Sequence, residues 1–187
     1  MSSILELPTV RQRVARISVE SYHTMSELRL VEERTELLRG AIVEKMTKTP
    51  LHVSVVERLY ELFRAAGRPR RVVRKEHPLT LADSEPEPDI AVVAGEPNDF
   101  RKSHPRSALL VAEVVVSSEA IDREKAGLYA EAGVAEFWLV LPERDTIEVF
   151  TLPAAGKYTK KRVVRRGEKL ATKALPAFDV KPDAIFD

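Results

Sequence analysis

The nine residues Ala108–Val116, ALLVAEVVV, are apolar throughout except for one glutamate, Glu113. A run this short and this rich in β-branched residues reads as a strand. Because it does not alternate with polar residues, it reads as a strand buried on both faces, at the centre of a sheet covered by helices. A carboxylate in such a strand costs several kcal/mol unless something compensates it. The compensation is an Arg or Lys partner, protonation, or a metal ion.

Working outward, RRVVRK (70–75), PDIAVV (88–93), EFWLVL (136–141) and TIEVF (146–150) are further strands, and Pro142 to Asp145 turns the chain between the last two. Asp122 is a possible N-cap and Gly133 a possible stop for a helix after Glu113. Pro50 opens an amphipathic helix of about four turns, in which Leu51, Val55, Leu59, Leu62, Phe63 and Ala66 recur at helical spacing, with Gly67 a plausible C-cap. Between residues 21 and 33 a short helical stretch offers Tyr22, Met25, Leu28 and Leu30 to the core. ELLRGAIVEKM (36–46) follows, two short β-like runs about the turn pair Arg39-Gly40. The last forty residues read as a basic β-extension, KYTKKRVVRRG, and an irregular tail. The order predicts an α/β fold, one mixed β-sheet flanked by helices. Residues 1–19 read as a loosely held arm and 20–187 as a single domain.

Composition agrees with one sizeable core: the 187 residues are 44% apolar and 32% charged, with a net charge of +1. No cysteine is present, which excludes disulfides and thiolate metal sites. No stretch is long enough to span a membrane, and the start lacks the apolar run of a signal peptide, so the cytoplasm is the expected compartment.

Asp89 makes the Glu113 problem specific. It follows Pro88, which cannot donate to a central ladder and so places Asp89 at a strand start, near a sheet end. Two carboxylates on neighbouring strands can converge there, and oxygen pairs suit a hard cation such as magnesium. Glu85 and Glu87 read as solvated loop charges. On the following helix, Ile121, Leu128, Tyr129 and Ala132 form a sheet-facing stripe that includes Lys125. Lys125 is then an ion-pair partner of Glu113, a catalytic cation, or a side chain that snorkels to the surface. Glu36, at the start of the hairpin, is a weaker candidate. His52 could approach the site, although a lone histidine is more often structural; His23, His77 and His104 lack metal-ligand spacing.

With ELLRGAIVEKM, LHVSVV, EPDI and VAEVVVSSEAIDREKAGLYAEAGVAEFWLVLPERDTIEVF, the chain resembles the Uma-two family of restriction-endonuclease-like proteins, in the PD-(D/E)XK superfamily, from about Tyr22 to Phe150. The resemblance implies a restriction-endonuclease-like fold and a magnesium site at Asp89 and Glu113. The superfamily pattern places a lysine two residues after the glutamate, where this chain has Val115; Lys125 matches a helical lysine of the family, and Glu36 an acidic position at the start of the core. It implies magnesium-dependent (or manganese-dependent) hydrolysis of phosphodiesters in nucleic acid, DNA first, by a homodimer. Two basic stretches supply candidate phosphate contacts: Arg68, Arg70, Arg71, Arg74 and Lys75, and Lys157, Lys160, Lys161, Arg162, Arg165 and Arg166, with Arg71, Arg74, Lys161 and Arg165 foremost. Charges alternating along strand edges also serve to prevent aggregation. The alternative is a non-catalytic nucleic-acid-binding or assembly module in which the acidic cluster is a structural ion-pair network.

Overall fold

A computed structural model describes residues 4, 7–67, 69–116 and 119–187. Arg68 of the first basic stretch, and residues 1–3, 5 and 6 of the arm, lie outside the described residues. The core is a six-stranded mixed sheet in simple spatial order: β3 (Arg71–Lys75), β4 (Ile90–Ala94), β5 (Leu110–Val114), β6 (Glu136–Leu141), β7 (Thr146–Ala154) and β8 (Lys157–Arg165). Only β5 and β6 run parallel. That pairing needs a crossover, supplied by helix α4 (Glu119–Glu131). Within the ALLVAEVVV run, β5 is a central strand and each of its five residues, Leu110–Val114, is buried.

Alternation splits the sheet into two faces. Ile90, Val92, Ala112, Val114, Trp138 and Val140 pack beneath α3 (Pro50–Ala65) and the C-terminal segment. Phe63 is the anchor of this layer, edge-on to Trp138 at 5.4 Å and to Phe178 at 4.8 Å. Ala91, Val93, Val111, Val115, Phe137 and Leu139 pack on the other face with Tyr129 of α4.

Preceding the sheet are α1 (Pro8–Arg11), α2 (Val19–Glu27) and a hairpin of β1 (Thr35–Leu38) and β2 (Ala41–Glu44). Its two-residue turn has φ of 49° at Arg39 and 74° at Gly40, the doubly left-handed geometry that matches strand twist. A side chain at Gly40 would meet Arg16 Cβ at 2.7 Å, so the glycine also permits the close approach of the preceding segment. The hairpin is tied to the body where Glu85 N donates to Leu37 O and Gly40 N to Asp83 O. Short strands β9 (Leu170–Ala171) and β10 (Asp179–Val180) and helix α5 (Asp183–Phe186) close the chain.

Four local expectations are corrected. Leu28 and Leu30 are exposed, because α2 ends at Glu27 and the left-handed Arg29 turns the chain away from the core. Ala66 rather than Gly67 caps α3, and Gly67 is not left-handed. Helix α4 begins three residues before Asp122, which is therefore not its N-cap. Ile121 is 37% exposed, since the buried stripe of α4 runs instead through Asp122, Lys125, Leu128 and Tyr129.

Phe63→Ala removes the ring that joins α3, the sheet and the tail, and is expected to destabilise the fold by about 3–5 kcal/mol in urea unfolding. A loss below about 1 kcal/mol would mean that the three layers are not one packed unit.

Candidate active site

The register of β4 on β5 brings the two central carboxylates together. Ile90 pairs with Ala112 and Ala91 with Val111, so one further step sets Asp89 opposite Glu113 on the same face. The ladder stops there because Pro88 brings no N–H to the sheet end. The carboxylates take over its role. Asp89 N donates to Glu113 Oε2 at 3.2 Å, and Val114 N donates to Asp89 Oδ2 at 2.7 Å.

Lys125 reaches this pair from α4. It is only 6% exposed, which excludes the snorkelling alternative. Its Nζ lies 2.9 Å from Glu36 Oε2, 3.4 Å from Glu113 Oε1 and 3.8 Å from Asp122 Oδ1. Glu36, the weaker candidate in the sequence, is thus a full member of the cluster, and its other oxygen accepts from Glu87 N at 2.7 Å. Tyr129, one turn beyond Lys125, donates its hydroxyl to Glu113 Oε1 at 2.6 Å.

From the opposite face, His52 joins at the first turn of α3. Thr49 caps that helix by accepting from His52 N, and His52 Nε2 sits 3.2 Å from Asp89 Oδ2. The His52 Nδ1 is buried and, among the described residues, has no hydrogen-bond partner.

The electrostatics are those of surplus negative charge. Burial pushes the Glu113 carboxyl up to about 8, against the attraction of Lys125, and repulsion from Asp89, Asp122 and Glu36 acts in the same direction as burial. Burial also opposes the charge on Lys125, but Glu113, Glu36 and Asp122 outweigh it and hold the ammonium above its ordinary value. Burial, then the charge of Glu113, raises the Tyr129 hydroxyl, which therefore remains a donor.

Asp89, Glu113, Lys125, Glu36, His52 and Asp122 all line one cleft of about 90 Å³ between the hairpin, α3 and α4. Among the described residues no group of three His, Asp or Glu side chains is gathered closely enough to cage a metal ion. The donors available are two adjoining carboxylates. Magnesium commonly takes one or two carboxylates from a protein and keeps several waters, so the donor set fits that ion in number and in hardness. Negative charge in excess of a single ammonium fits it in charge.

The residues foremost among candidate phosphate contacts lie elsewhere. Arg71 and Arg74 are on β3 and Lys161 and Arg165 on β8, the two opposite edges of the sheet. Arg74 stacks on Phe100 with its Nε buried and, among the described residues, unpartnered, and Lys161 pairs with Glu148 at 2.9 Å. Glu85 is a correction: it is 7% exposed rather than solvated, held by His23 Nε2 at 2.8 Å and Thr80 Oγ1 at 2.9 Å.

Residues 19–182 match the family model Uma2, described as "Putative restriction endonuclease". The chain belongs to the Uma2 family. A solved structure with the same fold is that of "a putative nuclease belonging to DUF820" from Anabaena variabilis ATCC 29413. It is 16% identical to this Uma2 chain, covers 91% of it and 97% of its own length, and superposes with a TM-score of 0.76. No curated protein matches the chain. Among the described residues no helix is long and apolar enough to cross a membrane.

Glu113 predicts a pH signature for the metal-free protein. Its carboxyl titrates near 4.5 when unfolded and near 8 when folded. Between those values unfolding releases a proton, so stability falls as pH rises, by at most about 1.4 kcal/mol per unit. In thermal unfolding with EDTA, the wild type should lose stability from pH 5 to pH 8 relative to Glu113→Gln, which does not ionise. Parallel curves would show that Glu113 is ionised across the whole range.

Proposed function

We propose that the chain is a metal-dependent nuclease that hydrolyses phosphodiester bonds in nucleic acid, with DNA as the expected substrate and Asp89 and Glu113 as the metal ligands. The observation that carries this reading is the cleft-lining pair Asp89 and Glu113, buried beside Glu36 and Asp122, four carboxyl groups around the one ammonium of Lys125. Family membership supports the reaction class.

A magnesium or manganese ion bound there supplies positive charge that polarises a phosphoryl oxygen and makes water an effective nucleophile at neutral pH. The protein's own part is positional. Asp89 is held by Val114 N and His52, and Glu113 by Tyr129 and Asp89 N, so both groups are fixed in place at the cleft before a cation arrives. Lys125 offers the ammonium that orients the attacking water or neutralises charge developing on the phosphoryl oxygens. Glu36 keeps Lys125 charged and aimed. Lys125 thus takes the part that position 115 cannot, because Val115 is packed in the apolar layer beneath α4. A homodimer would bring two such sites, one to each strand of a duplex.

Magnesium and manganese titrations by calorimetry, with supercoiled-plasmid nicking alongside, test the reading. Wild type should bind the ion and nick; Asp89→Ala and Glu113→Ala should lose both, with nicking down at least about 100-fold. RNA and a small phosphodiester assayed in parallel identify the substrate class. No binding at millimolar ion, with the variants folded, would overturn the proposal and leave the cluster as a structural ion-pair network in a non-catalytic module.

A further inference from the structure

Among the described residues, seven carboxyl groups and three lysines line the cleft. A polyanionic substrate entering it meets net repulsion unless cations stand where its backbone passes. Lys125 stands beside the carboxylate pair itself, buried and shared among Glu36, Glu113 and Asp122, so it does not also reach the phosphates to either side. The other two lysines are Lys45 and Lys48, on the segment that joins β2 to α3.

We infer that Lys45 and Lys48 receive the phosphates on either side of the scissile bond, so that the substrate backbone runs between the β2–α3 segment and the carboxylate pair. This rests on the nuclease reading above. Each lysine now reaches across the cleft to a glutamate on the far wall: Lys45 Nζ is 2.7 Å from Glu87 Oε2, and Lys48 Nζ is 2.7 Å from Glu76 Oε1.

Both glutamates are anchored to the site itself. Glu87 N donates to Glu36 Oε1 at 2.7 Å, and Glu76 N donates to Asp89 O at 3.0 Å. The ion pairs therefore hold the two ammonium groups in register with Asp89 and the Lys125 cluster before any substrate arrives. They are also easy to exchange. The lysine side chains are 24% and 43% exposed. Ion pairs open to water to this degree are weak. An ammonium has three donors, so it can accept a phosphate while keeping or releasing its glutamate.

The edge residues Arg71, Arg74, Lys161 and Arg165 do not line this cleft. Contacts made there would hold nucleic acid without placing it at Asp89 and Glu113.

The test is salt-dependent binding of a labelled DNA duplex, with calcium replacing magnesium, followed by nicking kinetics and magnesium calorimetry on the same proteins. Lys45→Ala/Lys48→Ala should reduce the slope of log K against log salt by about 2, near 0.9 per lost contact. It should raise KM for nicking more than it lowers kcat and leave magnesium affinity at the wild-type value. Lys169→Ala/Lys181→Ala, the same charge change outside the cleft, should keep the wild-type slope. An unchanged slope in Lys45→Ala/Lys48→Ala, with nicking intact, overturns the inference and leaves the nuclease reading standing. A reduced slope in a protein that never nicks overturns the nuclease reading and, with it, the place of these lysines beside a scissile bond, leaving them as plain backbone contacts. Wild type that binds neither duplex nor single strand overturns both.

Discussion

The ammonium of Lys125 is the group on which the arrangement depends. It gathers carboxylates from the hairpin (Glu36), the central strand (Glu113) and its own helix (Asp122), all nearly buried at the wall of the cleft. A buried charge of this kind is tolerable only while its partners are present, and removing one member leaves the others uncompensated. The same contacts fix three separate pieces of chain relative to one another. The hairpin is not part of the six-stranded sheet, and Glu36–Lys125 is one of the ties that hold it over the sheet end.

From Lys125 the polar chain continues through Glu113 to Asp89 and on to His52. It starts on the helix covering one face of the sheet and ends on the helix covering the other. It can pass between the faces because the β4–β5 ladder has been interrupted at Pro88, where side-chain carboxylates accept the backbone N–H groups that a continued strand would have bonded. The structural role of the two acids and the metal-ligand role proposed for them therefore ask for the same placement. Groups that finish the end of the sheet are also those that present oxygen to a cleft.

Supplying the cation from a helix has a packing consequence. A lysine two positions after Glu113 would lie about 7 Å further along the same strand face, where Val115 is now buried against Val111, Leu139 and Tyr129. Approach from above, by a side chain on α4, leaves that apolar layer whole and still delivers an ammonium to Glu113. It also demands more of the fold, since the register of helix on sheet must place Lys125 over the strand. Tyr129, packed on Phe137 at 5.4 Å while bonded to Glu113, helps to set that register.

Much of this was legible in the residues themselves. The apolar run around Glu113, the proline before Asp89 and the helical spacing of Lys125 to Leu128 and Tyr129 determine a covered central strand, a carboxylate at a strand start and a lysine on an inner face, because burial periodicity and proline chemistry are local properties. The amphipathic pattern after Pro50 determined α3 in the same way. Tertiary structure alone decided that Glu36 is a full member of the cluster, that His52 faces Asp89, and that Glu85 is buried rather than solvated. Each of these rests on a contact spanning 37 to 89 residues, which no local pattern encodes. It decided equally that the two basic stretches lie on opposite sheet edges while the cleft carries Lys45 and Lys48, because the order of strands in the sheet, and not their order along the chain, determines which charges are neighbours.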